Sequence, residues 1–142
     1  MTVEAVTGRE PAVFDIVDES DLIRVRKVLR TEAEATGLNL VDTTKLITAG
    51  SELARNILNY ATGRRGRVSI EQVSRQGRRG VQATFCDDGP GIDDVDLAMT
   101  DGFSTRGSMG LGLPGARRLV DDMTLTSAAG RGTTVVIVKW QR

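Results

Sequence analysis

The sequence predicts an α+β fold: a two-layer sandwich of a mixed, mostly antiparallel sheet covered on one face by helices. Three observations carry that reading. The segments with strand-like alternation fall mainly in adjacent pairs around turn residues, which is the mark of hairpins. The segments with helical spacing fall in two groups, one before the first hairpin and one between the hairpins. Helices grouped in this way cover one side of a hairpin-built sheet rather than alternating strand by strand.

The elements follow in order. Residues 12–18, Ala-Val-Phe-Asp-Ile-Val-Asp, suit a first strand. A helix is expected to start at Ser20-Asp21, carry Leu22, Val25, Val28 and Leu29 at helical spacing, and end at Gly37. Asp42 or Thr43 is expected to cap a longer second helix running to about Ala61 and closed by Gly63. Residues 67–74 and 80–87 alternate around Gln76-Gly77 and read as a hairpin. Asp93 to Met99 reads as a short helix, Gly102 to Gly112 as a glycine-rich loop, and Pro114 to Met123 as a helix with Pro in its first turn. A last hairpin joins 124–128 to 133–140 around Gly130-Arg131-Gly132. Met1 to Arg9 reads as a flexible leader and 10–142 as one domain, a size that suits one core.

Composition narrows the function classes. Hydrophobic residues at 39% and charged residues at 27% are an ordinary globular balance, not a disordered one. Lys plus Arg equals Asp plus Glu, 19 each, so no global basic field attracts nucleic acid or anionic lipid. The local clusters Arg64, Arg65, Arg67 and Arg75, Arg78, Arg79 sit near turns and read as solvated hairpin ends. No stretch approaches the roughly 20 apolar residues of a membrane span, and the polar start of the chain lacks a signal-peptide pattern. Cys86 is the one cysteine, so no internal disulfide forms and a reducing, cytoplasmic compartment fits; its strand context suggests a packing role. Histidine is absent, which excludes a histidine base, a phosphohistidine in this chain and any Cys/His zinc site.

Three segments carry chemistry. On a wheel of about 100° per residue, Leu46, Ile47, Leu53, Ala54, Ile57, Leu58 and Ala61 fall on one side of the second helix. Lys45, Thr48, Glu52, Asn56 and Asn59 form a polar stripe opposite. That stripe reads either as a solvated face or as a site. Asn is a mediocre helix former, and Asn56 lies one turn after Glu52. A carboxylate and an amide so placed suit an oxygen-liking cation with a base beside it. Asp87-Asp88-Gly89-Pro90-Gly91 follows an apolar strand. It reads either as an ordinary strand-to-helix turn or as a place where backbone approaches a ligand and a carboxylate accepts from an amino group on a bound ring. Gly107-Ser108-Met109-Gly110-Leu111-Gly112-Leu113 runs into a helix. It reads either as a flexible surface lid or as a phosphate cradle, in which glycine frees backbone N–H groups and the helix terminus favours an anion. It lacks the Gly-Lys-Ser/Thr ending of a Walker loop.

Together these segments resemble the GHKL ATPases, the superfamily of gyrase and the histidine kinases. Glu52 to Asn56 resembles the N box, Asp87 to Gly91 the G1 box, Gly107 to Leu113 the G2 box, and Gly130-Arg131-Gly132-Thr133 the closing G-x-G-T element. Ser51 to Ile57, Asp101-Gly102-Phe103-Ser104-Thr105, Gly112 to Leu119 and the ending Lys139-Trp140 further resemble the RsbT-type serine kinases of the bacterial stressosome.

The resemblance implies the GHKL (Bergerat) ATP-binding fold and transfer of phosphate from ATP to Ser or Thr of another protein. It implies Glu52 as the general base, Asn56 as a holder of Mg²⁺, and Asp87 as the reader of the adenine amino group, Thr133 assisting through water. Gly89 and Gly91 would let backbone approach the base. Gly107 opens the phosphate loop, in which Gly110 and Gly112 would donate N–H groups. Ser104, Thr105 and Arg106 would belong to a lid, with Arg106 either on the γ-phosphate or a solvated lid charge. Asp87 is preferred over Asp88 by register alone. The partners implied are STAS-domain scaffold and antagonist proteins as substrates and a PP2C-type phosphatase activated on release, with a homodimer left open. Anti-sigma factor kinases share the fold and are the first alternative; a non-catalytic partner-switching module is the second.

Overall fold

The computed structural model describes residues 3–6, 9–60, 66–87, 112–127 and 132–142. The expected helix at 93–99 lies outside the described residues, and so does the expected loop at 102–112 apart from Gly112, which opens a helix instead. Among the described residues the order is β1 (Glu4–Ala5), β2 (Ala12–Ile16), α1 (Glu19–Thr36), α2 (Leu40–Tyr60), β3 (Gly66–Arg75), β4 (Arg78–Asp87), α3 (Gly112–Leu119), β5 (Asp122–Ser127) and β6 (Thr133–Trp140). The strands form one six-stranded sheet in the order β1-β3-β4-β6-β5, with β2 also on β3. Every pairing among them is antiparallel. Within the leader, Glu4 and Ala5 lie opposite Ser74 and Val73. The α+β sandwich is as the hairpin pattern predicts.

Local chemistry sets the boundaries. The β3–β4 turn is Gln76-Gly77, and both residues have positive φ, 54° and 78°. That is the type I′ pattern, whose twist matches a two-residue hairpin; glycine takes it without steric cost. Helix α1 starts one residue earlier than Ser20, because Asp18 is the cap. Its carboxylate accepts from the Ser20 N–H at 2.9 Å, and Asp21 accepts from the Asp18 N–H at 3.2 Å. Such a reciprocal box satisfies two donors that the helix itself leaves open. Gly37 ends the helix as expected. Helix α2 is capped by Asn39, whose side chain accepts from the Asp42 N–H at 2.8 Å, rather than by Asp42 or Thr43. Helix α3 runs from Gly112 to Leu119 instead of 114 to 123, because β5 takes up Asp122 and Met123 opposite Val138 and Ile137.

The inner sheet face carries Phe14, Ile16, Val68, Ile70, Val81, Ala83, Phe85, Val135 and Ile137, which pack against Leu22, Val25 and Leu29 of α1 and Leu46, Leu53 and Ile57 of α2. The outer face holds a smaller cluster of Val73, Val138 and Trp140, joined by Val3. Arg75 lies 4.6 Å from the Trp140 ring and 3.4 Å from Asp122, so it is a packed residue and not a solvated hairpin end. Arg78 and Arg79 are exposed, as expected. Cys86 is half-buried on the outer face, its Sγ 3.6 Å from the Thr134 hydroxyl.

Gly80 fits beneath Trp140. A Cβ there would meet the Lys139 carbonyl oxygen at 2.6 Å and the indole at 2.7 Å. The carbonyl belongs to a hydrogen-bonded strand and cannot yield cheaply. Gly80→Ala is therefore expected to lose about 1–3 kcal/mol of stability, the usual cost of overpacking. Urea denaturation should show a lower midpoint at unchanged slope.

Candidate nucleotide site

The sheet has two ends, and α2 spans both. Its 21 residues cover roughly 31 Å, close to the roughly 33 Å of ten-residue β3. At its start, Gly37 abuts Gln141 and Asp42 pairs with Lys139 at 3.5 Å, both at the end of β6. Toward its other terminus, Ile57 fills the space where a side chain on Gly66 would stand. Gly66 lies opposite Asp87, and Asp87 opposite Thr133. The C-terminal half of α2 therefore packs on the sheet end that carries Asp87.

The orientation of α2 follows from its contacts. Arg26 of α1 donates to Ser51 at 3.0 Å, and Arg55 pairs with Glu19 of α1 at 3.3 Å. Ser51 and Arg55 thus face α1. Glu52 and Asn56 each follow one of them, so they turn about 100° away. That turns them off the face that meets α1, and α3 packs against α2 as well. Along the polar stripe Lys45 and Asn59 are exposed, whereas Thr48, Glu52 and Asn56 are half-buried. A merely solvated face would not be covered at its centre.

Asp87, Thr133 and Ser127 stand opposite one another on three adjacent strands. Directly opposed residues share a face of an antiparallel sheet, here the inner one. The Ser127 hydroxyl lies 2.9 Å from the Thr133 hydroxyl and donates to the Gly132 carbonyl at 3.0 Å. The sequence reading passed over Ser127. The signal available was that Ser127 and Thr133 stand symmetrically about Gly130, so that a hairpin centred there pairs them.

Gly112 opens α3 with φ of 66°, a conformation that favours glycine. The first N–H groups of a helix lack partners within it and suit an anion. The other terminus of α3 is tied to the far end of the sheet by the two-residue link to β5. Gly89, Gly91, Ser104, Thr105, Arg106, Gly107 and Gly110 lie outside the described residues. Of the expected site, Glu52 and Asn56 thus lie on the half of α2 that packs on the sheet end bearing Asp87 and Thr133, and Gly112 stands at the start of the helix packed on α2.

A sheet with helices on one face, and a polar flank of α2 leading to a carboxylate-bearing strand end, define the architecture of one ATPase class. Residues 41–142 match the family of histidine kinase-, DNA gyrase B-, and HSP90-like ATPases, and the chain belongs to it. Within that family its place is with the RsbT-type serine/threonine protein kinases. It is 45% identical over 127 residues to the serine/threonine-protein kinase RsbT of Bacillus subtilis (strain 168), covering 89% of this chain and 94% of the relative. The mycobacterial sensor histidine kinase MprB superposes with a TM-score of 0.54 at 20% identity, over 93% of this chain and 98% of that one, a likeness of fold.

Proposed function

We propose that this kinase transfers the γ-phosphoryl group of ATP to a serine or threonine of a STAS-domain partner and, once released, activates a PP2C-type phosphatase in the cytoplasm. The observation that carries the transfer reading is the half-buried Glu52–Asn56 pair, on the flank of α2 turned from α1 and over the sheet end that bears Asp87 and Thr133. Likeness to the serine/threonine-protein kinase RsbT supports serine or threonine as the acceptor, and the partner classes are those that the motif resemblance implies. Among the described residues no helix is long and apolar enough to cross a membrane.

In this reading Asp87 accepts from the adenine amino group and Thr133 supports it. The backbone at the start of α3 faces phosphate. Glu52 takes the proton of the substrate hydroxyl as its oxygen bonds to the γ-phosphorus and the bond to the ADP oxygen breaks, so protein phosphate and ADP result. Mg²⁺ fits the donors present. Glu52 and Asn56 offer oxygen only, and no group of three or more His, Cys, Asp or Glu among the described residues could cage a metal. A cation that keeps its waters and takes phosphate oxygens needs no such cage. Asn56 would hold it, and it would neutralise charge on the phosphates.

The test is Asp87→Asn. An amide presents an N–H where an acceptor is needed, and a charge-assisted bond of about 1.5–3 kcal/mol is lost. ATP binding by calorimetry is expected to weaken about 10- to 100-fold. Undiminished affinity would refute the adenine assignment. Labelled ATP with cell extract, followed by identification of the labelled protein, tests the partner class; label on no STAS protein would overturn it.

A further inference from the structure

We infer that the start of α2 is a docking surface, separate from the nucleotide site, for an acidic segment with an apolar face on a partner protein that is bound without being phosphorylated. In the reading above that partner is the PP2C-type phosphatase, and the inference rests on that reading.

An apolar pair set among cations carries it. Leu40 and Val41 open α2 and are exposed over most of their surface, whereas Leu38 before them and Leu46 after them are buried in the core. The fold therefore makes little use of the pair. Single exposed apolar side chains are ordinary, but neighbouring large ones rimmed by charge mark a surface that a partner covers. The rim decides the chemistry of that partner. Lys45 lies one turn beyond Val41 on the same face of α2 and is exposed. On the sheet side, the Gln141 N–H donates to the Arg79 carbonyl at 2.7 Å, and Gly37, three residues before Leu40, abuts the Gln141 side chain. That bond continues the β4–β6 ladder by one pair, so the exposed Arg79 shares the helix-covered face with Val81, beneath the α1–α2 turn. Half-exposed Arg142 lies 3.4 Å from Asp42, two residues after Leu40. Asp42 and Asp121 are largely covered and hold Lys139 and Arg142. Among the described residues Lys45 and Arg79 have no ion-pair partner. The rim is thus basic, and carboxylates on a partner complement it.

Position decides the rest. Leu40 comes twelve residues before Glu52, roughly 18 Å along α2. A hydroxyl that receives phosphate must come within hydrogen-bond reach of the base. A segment seated on Leu40 and Val41 stands beyond that reach and leaves the nucleotide site open. The surface therefore suits a protein that is held rather than phosphorylated.

Each full-length PP2C-type phosphatase encoded in the same genome, purified, is the probe, and its affinity for the intact chain and its variants is measured by calorimetry. Leu40→Asp is expected to weaken binding about 10- to 100-fold, the loss of an interface anchor. Aspartate is favoured in the first turn of a helix, so α2 should form. Arg79→Glu should slow association and flatten its dependence on salt. Leu40→Met should bind as wild type does, since it keeps the apolar contact. In all three, ATP affinity and phosphate transfer to the STAS acceptor should stay within about twofold of wild type, because the substitutions are on the surface. If Leu40→Asp does not fold, Val41→Glu replaces it and should weaken binding in the same direction. Phosphatase affinity within twofold of wild type in folded variants at positions 40 or 41 and at 79 overturns the inference alone. Loss of acceptor phosphorylation in step with phosphatase binding overturns it too, since the surface would then serve the acceptor. An intact chain that binds none of these phosphatases instead removes the partner reading on which the inference stands, and the inference with it.

Discussion

Glu52→Gln is expected to reduce phosphoryl transfer about 100- to 10,000-fold, the range over which a positioned general base contributes. Glutamine keeps the shape of the side chain and the helical preference, so α2 should form as before. What is removed is the capacity to take a proton from a serine or threonine hydroxyl, a weak nucleophile until a base is within reach. The loss should fall on the chemical step. Single-turnover transfer of labelled phosphate should collapse, while ATP affinity stays within about threefold, since adenine and phosphate recognition are assigned to Asp87, Thr133 and the start of α3. The placement of the residue supports this expectation. Ser51 and Arg55 hold α2 to α1, and Glu52 is the next position round the helix, half-buried where Lys45 on the same stripe is exposed. Unchanged transfer by a folded Glu52→Gln would end the assignment of the base, and with it the reading of the stripe as a catalytic face.

How much of this was legible in the sequence depended on whether a feature is decided locally. The Gln76-Gly77 hairpin is local: only certain residues accept two successive positive φ values, and they stood between alternating runs. The stripe on α2 is also local, because helical periodicity alone sets Glu52 above Asn56. The caps were misjudged because several competent residues compete. In Asp18-Glu19-Ser20-Asp21 more than one side chain could cap, and the reciprocal bond between Asp18 and Asp21 decides. At α2 the apolar Leu40 and Val41 are exposed, 75% and 61%, so the amphipathic pattern begins only after the helix does. Ser127 was hidden for a different reason. Its place depends on strand register, which pairs it with Thr133 and, through β6, with Asp87. Arg75 belongs with it: its charge pattern reads as solvated, and only the outer-face packing of Trp140 shows otherwise.

The second large effect is expected at the far end of the sheet, on stability. Lys139 closes an apolar run, its position opposite Val81 turns it inward, and its side chain is only 5% exposed. There its ammonium lies 3.5 Å from both Asp42 and Asp121. Arg142 adds a second cation, 3.4 Å from Asp42 and in contact with Asp121. Lys139→Met would fill a similar volume but leave the buried Asp42 with only the half-exposed Arg142. Removing one partner of a buried pair costs about 3–5 kcal/mol, because the remaining charge is stranded. Combining Lys139→Met with Asp42→Leu should recover most of that loss, since an apolar pair of similar volume is often as stable as the ions. Thermal and urea unfolding measure both variants, and a double variant no more stable than Lys139→Met alone would contradict the stranded-charge account. Acid should probe the same cluster. Burial raises the Asp121 pKa, but the Trp140 N–H and the charges of Lys139 and Arg142 outweigh it and hold it below the ordinary value of 3.8. A carboxylate with a lowered folded pKa contributes stability above its unfolded value and loses it as pH falls through the folded one. Its share should therefore be intact at neutral pH and vanish only below about pH 4. Asp42 lies ten residues before Glu52, roughly 15 Å along α2. The cluster therefore fixes the start of the helix whose other half bears the base, and a variant that still folds should bind ATP as wild type does.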